Sequence, residues 1–179
     1  LISGGLTKSG PGTLVLNSNN NYVGPTAVSA GQLQVNGNLL GTGAINVASG
    51  ATLSGTGTLS GATSVTSGGT LAPGQSAPGR LNTANAALAT GSTFAAEING
   101  ATVATQYDQL NVTGTVNLGG ATLSLSGSHV ATSGQSFVLI DNDGSDAVTG
   151  TFAGLAQGGT VTFNGVTLTV SYAGGDGND

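Results

Sequence analysis

The sequence predicts an all-β fold, a parallel β-helix whose coils run to roughly 18–22 residues. Three observations carry this. A small residue, a polar residue and a leucine recur in Gly12-Thr13-Leu14, Gly31-Gln32-Leu33, Ala51-Thr52-Leu53 and Gly69-Thr70-Leu71, which sets the leucines at a nearly constant interval. Within that spacing Leu53, Leu59, Val65 and Leu71 fall six residues apart, so three inward positions on three sides complete one coil and the fourth begins the next. From Tyr107 to Leu125 the apolar residues lie two apart in short runs broken by Gly114 and Gly119-Gly120, a period that fits strands and no helix.

Taken in order, residues 1–125 read as coils and residues 126–179 as terminal coils with a β-hairpin that caps the stack or links it to a further repeat. Thr13-Leu14-Val15-Leu16 and Gln32-Leu33-Gln34-Val35 read as strands, Asn17 to Asn21 as a polar turn, and Pro11 and Pro25 as corner or strand-start residues that donate to no ladder. Residues 48–72 are the most regular. Ala72 to Arg80, with two Pro-Gly steps, reads as a loop projecting from a corner and as the place for specific surface contact. Ala84 to Ala89 has helix-favouring composition but is read as strand, because turn residues flank Leu81 and Leu88 and Phe94 to Ile98 follows with period two. Phe137 to Ile140 is apolar on both faces. In Val161 to Leu168 the Asn164-Gly165 step marks a type I′ turn, setting Phe163 opposite Val166 and Val161 opposite Leu168. At roughly 20 residues a coil and about 4.8 Å between coils, eight or nine coils would make a rod about 40 Å long.

Composition narrows the function. Charged residues are 5% of the 179, against roughly a quarter in ordinary soluble domains, while 37% are hydrophobic and Gly numbers 33. Lys8 and Arg80 are the only cations and the net charge is −5, so no groove that neutralises several phosphates can be built and nucleic acid is not a partner. The same scarcity removes polybasic attraction to anionic lipid, and no run of about 18 apolar residues offers a spanning helix; membrane insertion by this segment is not expected. Cysteine is absent, which excludes disulfides and thiolate metal sites. A start at Leu1 with no signal segment suggests an internal fragment or a processed product.

Gly4-Gly5-Leu6-Thr7-Lys8-Ser9-Gly10-Pro11-Gly12-Thr13-Leu14-Val15-Leu16, followed by Asn21-Tyr22-Val23-Gly24-Pro25-Thr26, resembles the autotransporter-associated β-strand repeat, also called the passenger-associated transport repeat. Tyr107 to Val112 and Ser171 to Asp179 resemble later parts of the same large bacterial surface proteins. The resemblance implies a right-handed, pectin-lyase-like β-helix, exported across a Gram-negative outer membrane to the cell surface as an extracellular stalk. No outer-membrane barrel follows in this chain, which departs from a complete autotransporter.

Candidate chemistry is sparse. A polysaccharide-cleaving β-helix needs paired carboxylates in a groove. Glu97 and Asp108 are the only acids in the middle of the chain; Glu97 has outward parity, whereas Asp108 shares the parity of Leu110 and suits a corner cap accepting backbone N–H groups. His129, the single histidine, has no Gly-x-Ser-x-Gly elbow around it and reads as a surface residue. Gly174 to Asp179 matches Gly-Gly-x-Gly-x-Asp, a calcium-binding pattern, but occurs once and reads as a glycine-rich linker; Asp141 to Asp146 lacks helix-loop-helix calcium spacing and reads as a solvated turn. The threonine pairs Thr113/Thr115, Thr160/Thr162 and Thr167/Thr169 do not recur at the coil period and read as ordinary outward residues.

No catalytic, cofactor-binding or metal-binding residue is therefore assigned, and no cofactor is expected. The expected function is a non-enzymatic extracellular scaffold, a passenger or stalk segment of an adhesin or fibre. The alternative is a carbohydrate-binding or polysaccharide-cleaving β-helix. Expected partners are adjacent repeats or copies of the same protein by coil stacking, with host or surface glycans as a further class.

Overall fold

The computed structural model of the chain describes residues 3–143 and 146–174. Among these there is no helix. In chain order the strands are β1 (Leu6–Lys8), β2 (Thr13–Leu16), β3 (Thr26–Val28), β4 (Gly31–Val35), β5 (Asn38–Leu39), β6 (Ile45–Val47), β7 (Ala51–Gly55), β8 (Thr58–Leu59) and β9 (Thr63–Val65). There follow β10 (Thr70–Pro73), β11 (Arg80–Thr83), β12 (Ala86–Leu88), β13 (Thr93–Glu97), β14 (Gln109–Val112), β15 (Val116–Asn117), β16 (Thr122–Ser126), β17 (Ile140–Asn142), β18 (Thr160–Phe163) and β19 (Val166–Thr169).

These strands stack into three parallel sheets, the three sides of a β-helix. The first side holds β2, β4, β7, β10, β13 and β16; the second β5, β8, β11, β14 and β17; the third β1, β3, β6, β9, β12 and β15. Each coil visits the first, second and third sides in turn. Leu53, Leu59, Val65 and Leu71 occupy successive sides, as their six-residue interval predicts, and all four are buried.

Register follows the inward column. On the first side Leu14 pairs with Leu33, Leu33 with Leu53, Leu53 with Leu71, Leu71 with Phe94 and Phe94 with Leu123. Each inward side chain rests on the one below, and full burial of such a group contributes roughly 1.5–3 kcal/mol. The corner between the third and first sides is built on glycine: Gly31, Gly50, Gly68, Gly91 and Gly120 have φ between 67° and 80°, a conformation that side chains with a Cβ rarely adopt. Gly50 and Gly68 donate to the carbonyls of Gly68 and Gly91 in the coils above, so the corner is itself hydrogen-bonded along the stack. At the first corner Lys8, only 7% exposed, donates from Nζ to the carbonyls of Ser9, Gly10 and Ala30 and so ties two coils together.

The later coils overturn part of the expected geometry. From Leu71 to Phe94, and again from Phe94 to Leu123, a coil exceeds the expected length of roughly 18–22 residues. The cause is insertion: a loop at 74–79 lengthens the first of these and one at 99–107 the second, and a further loop at 128–139 enters the next coil between β16 and β17, while the strands keep register. Among the described residues the first side holds six strands, which makes six coils and not eight or nine, and the first and last strands lie roughly 24 Å apart at about 4.8 Å per step. The stretch read as strand at 84–89 contains β12.

The Pro-Gly loop does not project freely. Gly74 exchanges backbone hydrogen bonds with Gly55 at 2.9 and 2.7 Å, and the Gln75 side chain turns back over the first side to accept from Gln32 Nε2 at 2.9 Å and Ser54 Oγ at 3.1 Å. That fold-back accounts for the burial of the outward-facing Ser54.

The hairpin has the expected register, with Phe163 opposite Val166 and Val161 opposite Leu168. Asn164 and Gly165 take φ of 47° and 79°, as a type I′ turn requires. Phe163 is buried with Ile98 and Tyr107 at the end of the stack, and Asn164 Nδ2 donates to the carbonyls of Gly127 and His129. Tyr172, just past the hairpin, accepts from the N–H of Phe152 and donates to the carbonyl of Leu155. Burial pushes its phenol above the ordinary tyrosine value, against the pull of the Phe152 N–H.

Candidate functional site

The structure brings Glu97 and Asp108, eleven residues apart in sequence, to one shallow groove of about 200 Å³ on the outer face of the first side. Outward positions of β10 and β13 supply Ala72 and Ala95, whose small side chains leave the floor low. Gln75 and Ser76 of the folded-back loop form one wall. Ser126, which pairs with Glu97 in register, borders the other end.

Asp108 sits beneath this groove, 4% exposed. Its Oδ1 accepts the N–H of Gly79 and its Oδ2 the N–H of Glu97, both at 2.8 Å, and its own N–H donates to the carbonyl of Glu97. Parity with Leu110 anticipated this capping role. Burial pushes the carboxyl up to about 6; the two backbone N–H groups pull the other way, and the neighbouring Glu97 charge adds a further small push upward. With each oxygen committed to a backbone amide, Asp108 joins the loop before β11, the end of β13 and the start of β14. Glu97 faces outward as its parity requires, and Oε1 accepts from Asn99 Nδ2 at 2.8 Å.

The remaining candidates do not converge on the groove. His129 bonds Gln135 through Nε2 at 2.9 Å and lies edge-on to Phe137 at 5.7 Å, at the hairpin end of the stack. Asp141 lies in β17 on the second side. Gly144 and Ser145, in the run read as a solvated turn, and Gly175 to Asp179, most of the run matching a calcium pattern, lie outside the described residues. Among the described residues no three His, Cys, Asp or Glu side chains gather into a metal-binding group.

Sequence reading missed a threonine rank. Thr52, Thr70, Thr93 and Thr122 pair in register along the outer face of the first side, extended below by Gln32 and Thr13. The signal was the Thr before each inward Leu or Phe. It is easily passed over beside Thr pairs two residues apart, because this rank has one Thr per coil.

Among the described residues, six parallel coils around an apolar column, with ionisable groups dispersed and none in that column, define a β-helical repeat protein. Residues 6–35 match the family described as the passenger-associated-transport-repeat. The matched segment runs from the first residue of β1 to the last of β4. A stretch of 73 residues, 40% of the chain, is 41% identical to the adhesin BmaC autotransporter of Brucella suis biovar 1 (strain 1330). A stretch of 71 residues, also 40% of the chain, is 42% identical to an extracellular serine protease of Serratia marcescens. These stretches amount to 2% and 6% of the two relatives, so the chain spans a small part of either. No solved structure matches the chain.

Proposed function

We propose that the chain is a non-enzymatic scaffold segment of an autotransporter-type passenger, surface-exposed or secreted, that carries an adhesive or effector part away from the bacterial cell. The observation that supports this best is the inward column from Leu14 to Leu123, which runs through every coil while the outer faces carry Thr, Ser, Asn and Ala with few charges. Such a body is a spacer whose length is set by coil number. The adhesin and the protease share stretches of nearly equal length with the chain, a small part of either, and what the protease does is a property of that enzyme.

A second reading, a carbohydrate-cleaving β-helix, draws on the shared groove of Glu97 and Asp108. Against it stands the placement of Asp108, 4% exposed beneath the groove with each carboxyl oxygen held by a backbone N–H, which keeps it from reaching a leaving group in the groove. Incubating the folded chain with acidic and neutral polysaccharides and a mixed peptide substrate tests both. The scaffold reading expects every substrate intact. Cleavage that disappears in Glu97→Gln overturns it.

A further inference from the structure

After Ala153 the chain breaks out of the coil, with Leu155 N–H turning back to Phe152 O at 3.1 Å, and continues into the β18–β19 hairpin. Two residues at the hairpin's turn fasten it to the stack. Phe163 is buried with Ile98 and Tyr107, and Asn164 Nδ2 donates to Gly127 O at 3.1 Å and His129 O at 2.8 Å. Both carbonyls belong to the chain just after β16, so a single side-chain amide ties the turn to that coil.

The residue after Asn164 is Gly165, and an Asn-Gly step has a chemistry of its own. The backbone nitrogen of the glycine can attack the asparagine Cγ, because the attacking residue carries no Cβ to block the approach. The new N–Cγ bond forms, the Cγ–Nδ2 bond breaks and ammonia leaves, giving a five-membered imide. Water then opens the imide at either carbonyl, giving aspartate or isoaspartate. One amide and one water are consumed, one carboxyl group and one ammonia are released, and nothing is oxidised or reduced.

The chain has three such steps, Asn36-Gly37, Asn99-Gly100 and Asn164-Gly165, and the fold treats them differently. At the first the attacking nitrogen is occupied: Gly37 donates to Leu16 O at 3.0 Å, and the backbone of Ser18 packs against it. At the second Asn99 is held from three directions, its N–H by Gln106 O, its Oδ1 by Ser128 N–H and its Nδ2 by Glu97 Oε1, while Gly100 is buried against the Gln106 side chain. Such a clamp keeps Cγ from swinging onto the glycine nitrogen. At the third Asn164 and Gly165 are both exposed, and nothing lies within 4 Å of the position a Gly165 Cβ would take. Water and base reach this N–H, and a turn at the tip of a two-stranded hairpin opens more readily than a corner inside the stack.

We propose that Asn164-Gly165 is a spontaneous deamidation site whose reaction unfastens the hairpin. The substrate is the chain's own amide and the co-reactant is water, so the step holds whether the segment is a spacer or an enzyme. Both products lose the Nδ2 hydrogens. Aspartate keeps the turn, since Asp-Gly also suits type I′ geometry, but it sets a carboxylate against the Gly127 and His129 carbonyls where a donor stood. Isoaspartate goes further. It adds one carbon to the backbone of a two-residue turn, so the pairing of Phe163 with Val166 and of Val161 with Leu168 cannot be kept. The site is a slow covalent timer on the hairpin.

Ageing the full chain in mildly alkaline buffer, followed by chymotryptic peptide mapping, tests this. Deamidation adds one dalton, isoaspartate is counted with protein isoaspartate methyltransferase, and the added negative charge lets ion exchange isolate the aged fraction. Asn164 is expected to convert several times faster than Asn36 or Asn99. In the aged fraction, hydrogen exchange at the β18 and β19 amides should rise about tenfold or more, as the loss of two hydrogen bonds predicts, while β4 to β12 exchange as before. Asn164→Asp, made directly, should show the same loosening without ageing. The proposal is overturned if Asn36 or Asn99 converts as fast as Asn164, or if Asn164 stays intact while a free peptide of residues 159–170 converts fully. It is equally overturned if the aged chain or Asn164→Asp exchanges at the hairpin as slowly as the parent.

Discussion

Asp108→Asn isolates the one carboxylate that, among the described residues, the fold holds out of water. In the folded chain its pKa is about 6, against 3.8 for an unperturbed aspartate, a difference equivalent to about 3 kcal/mol. The sign follows from proton counting. Between about pH 4 and 6 the unfolded chain has released this proton and the folded chain retains it, so stability falls as pH rises through that window and is level above it. For a chain of this size each kcal/mol moves the melting temperature by about 2–4 °C, so the fall is roughly 6–12 °C. The amide keeps one acceptor, for Gly79 or Glu97, and sets its NH2 against the other backbone N–H. The variant is therefore about 1–3 kcal/mol less stable than the parent at acid pH but lacks its slope. Thermal melts followed by far-ultraviolet circular dichroism suit a chain with no tryptophan. A variant whose melting temperature changes with pH as the parent's does, or a parent whose stability rises through the window, refutes the reasoning.

Further substitutions probe other parts of the stack. Leu53→Ala opens a hole in the inward column where Leu33 and Leu71 meet it, and should cost about 2–5 kcal/mol in urea unfolding. Gly55→Ala adds a Cβ 2.0 Å from Val35 O at a φ of 121°, and should lower the urea midpoint by an amount corresponding to at least about 1–3 kcal/mol. Lys8→Met leaves the Ser9, Gly10 and Ala30 carbonyls without their shared donor, an expected loss of about 1–3 kcal/mol, with hydrogen exchange rising first in β1 and β2. Gln75→Ala, by contrast, should hardly move the melting temperature while speeding protease cleavage at residues 75–78, because it frees the loop and leaves the column intact.

What could be read from the residues was whatever repeats. Leu53, Leu59, Val65 and Leu71 announced three sides because their spacing divides a coil evenly, and Asn164-Gly165 announced its turn because only a few residue types accept those dihedrals. Coil number was misjudged because insertions carry no period: the loops at 74–79, 99–107 and 128–139 add residues without adding a strand to the first side. The Asp108 cap was visible from parity. The groove was not, since it depends on the loop at 99–107 closing on itself, through Asn99 N–H to Gln106 O and Ala104 N–H to Tyr107 O, and so returning Asp108 beneath Glu97. The break after Ala153 was equally hidden, because the turn at Phe152 to Leu155 departs from a coil whose earlier residues still keep register.

The lengthened coils have a practical consequence. Phe94 still rests on Leu71, and Leu123 on Phe94, although more chain separates either pair than separates Leu53 from Leu71, so the ladder ignores how much chain is let out at a corner. Foreign sequence spliced at Gln75 to Ala77 or into 100–105 would then ride outside a body that registers no change. A short epitope or an affinity tag could be carried at a chosen height on the rod, with neighbouring coils reporting its presence only through local mobility.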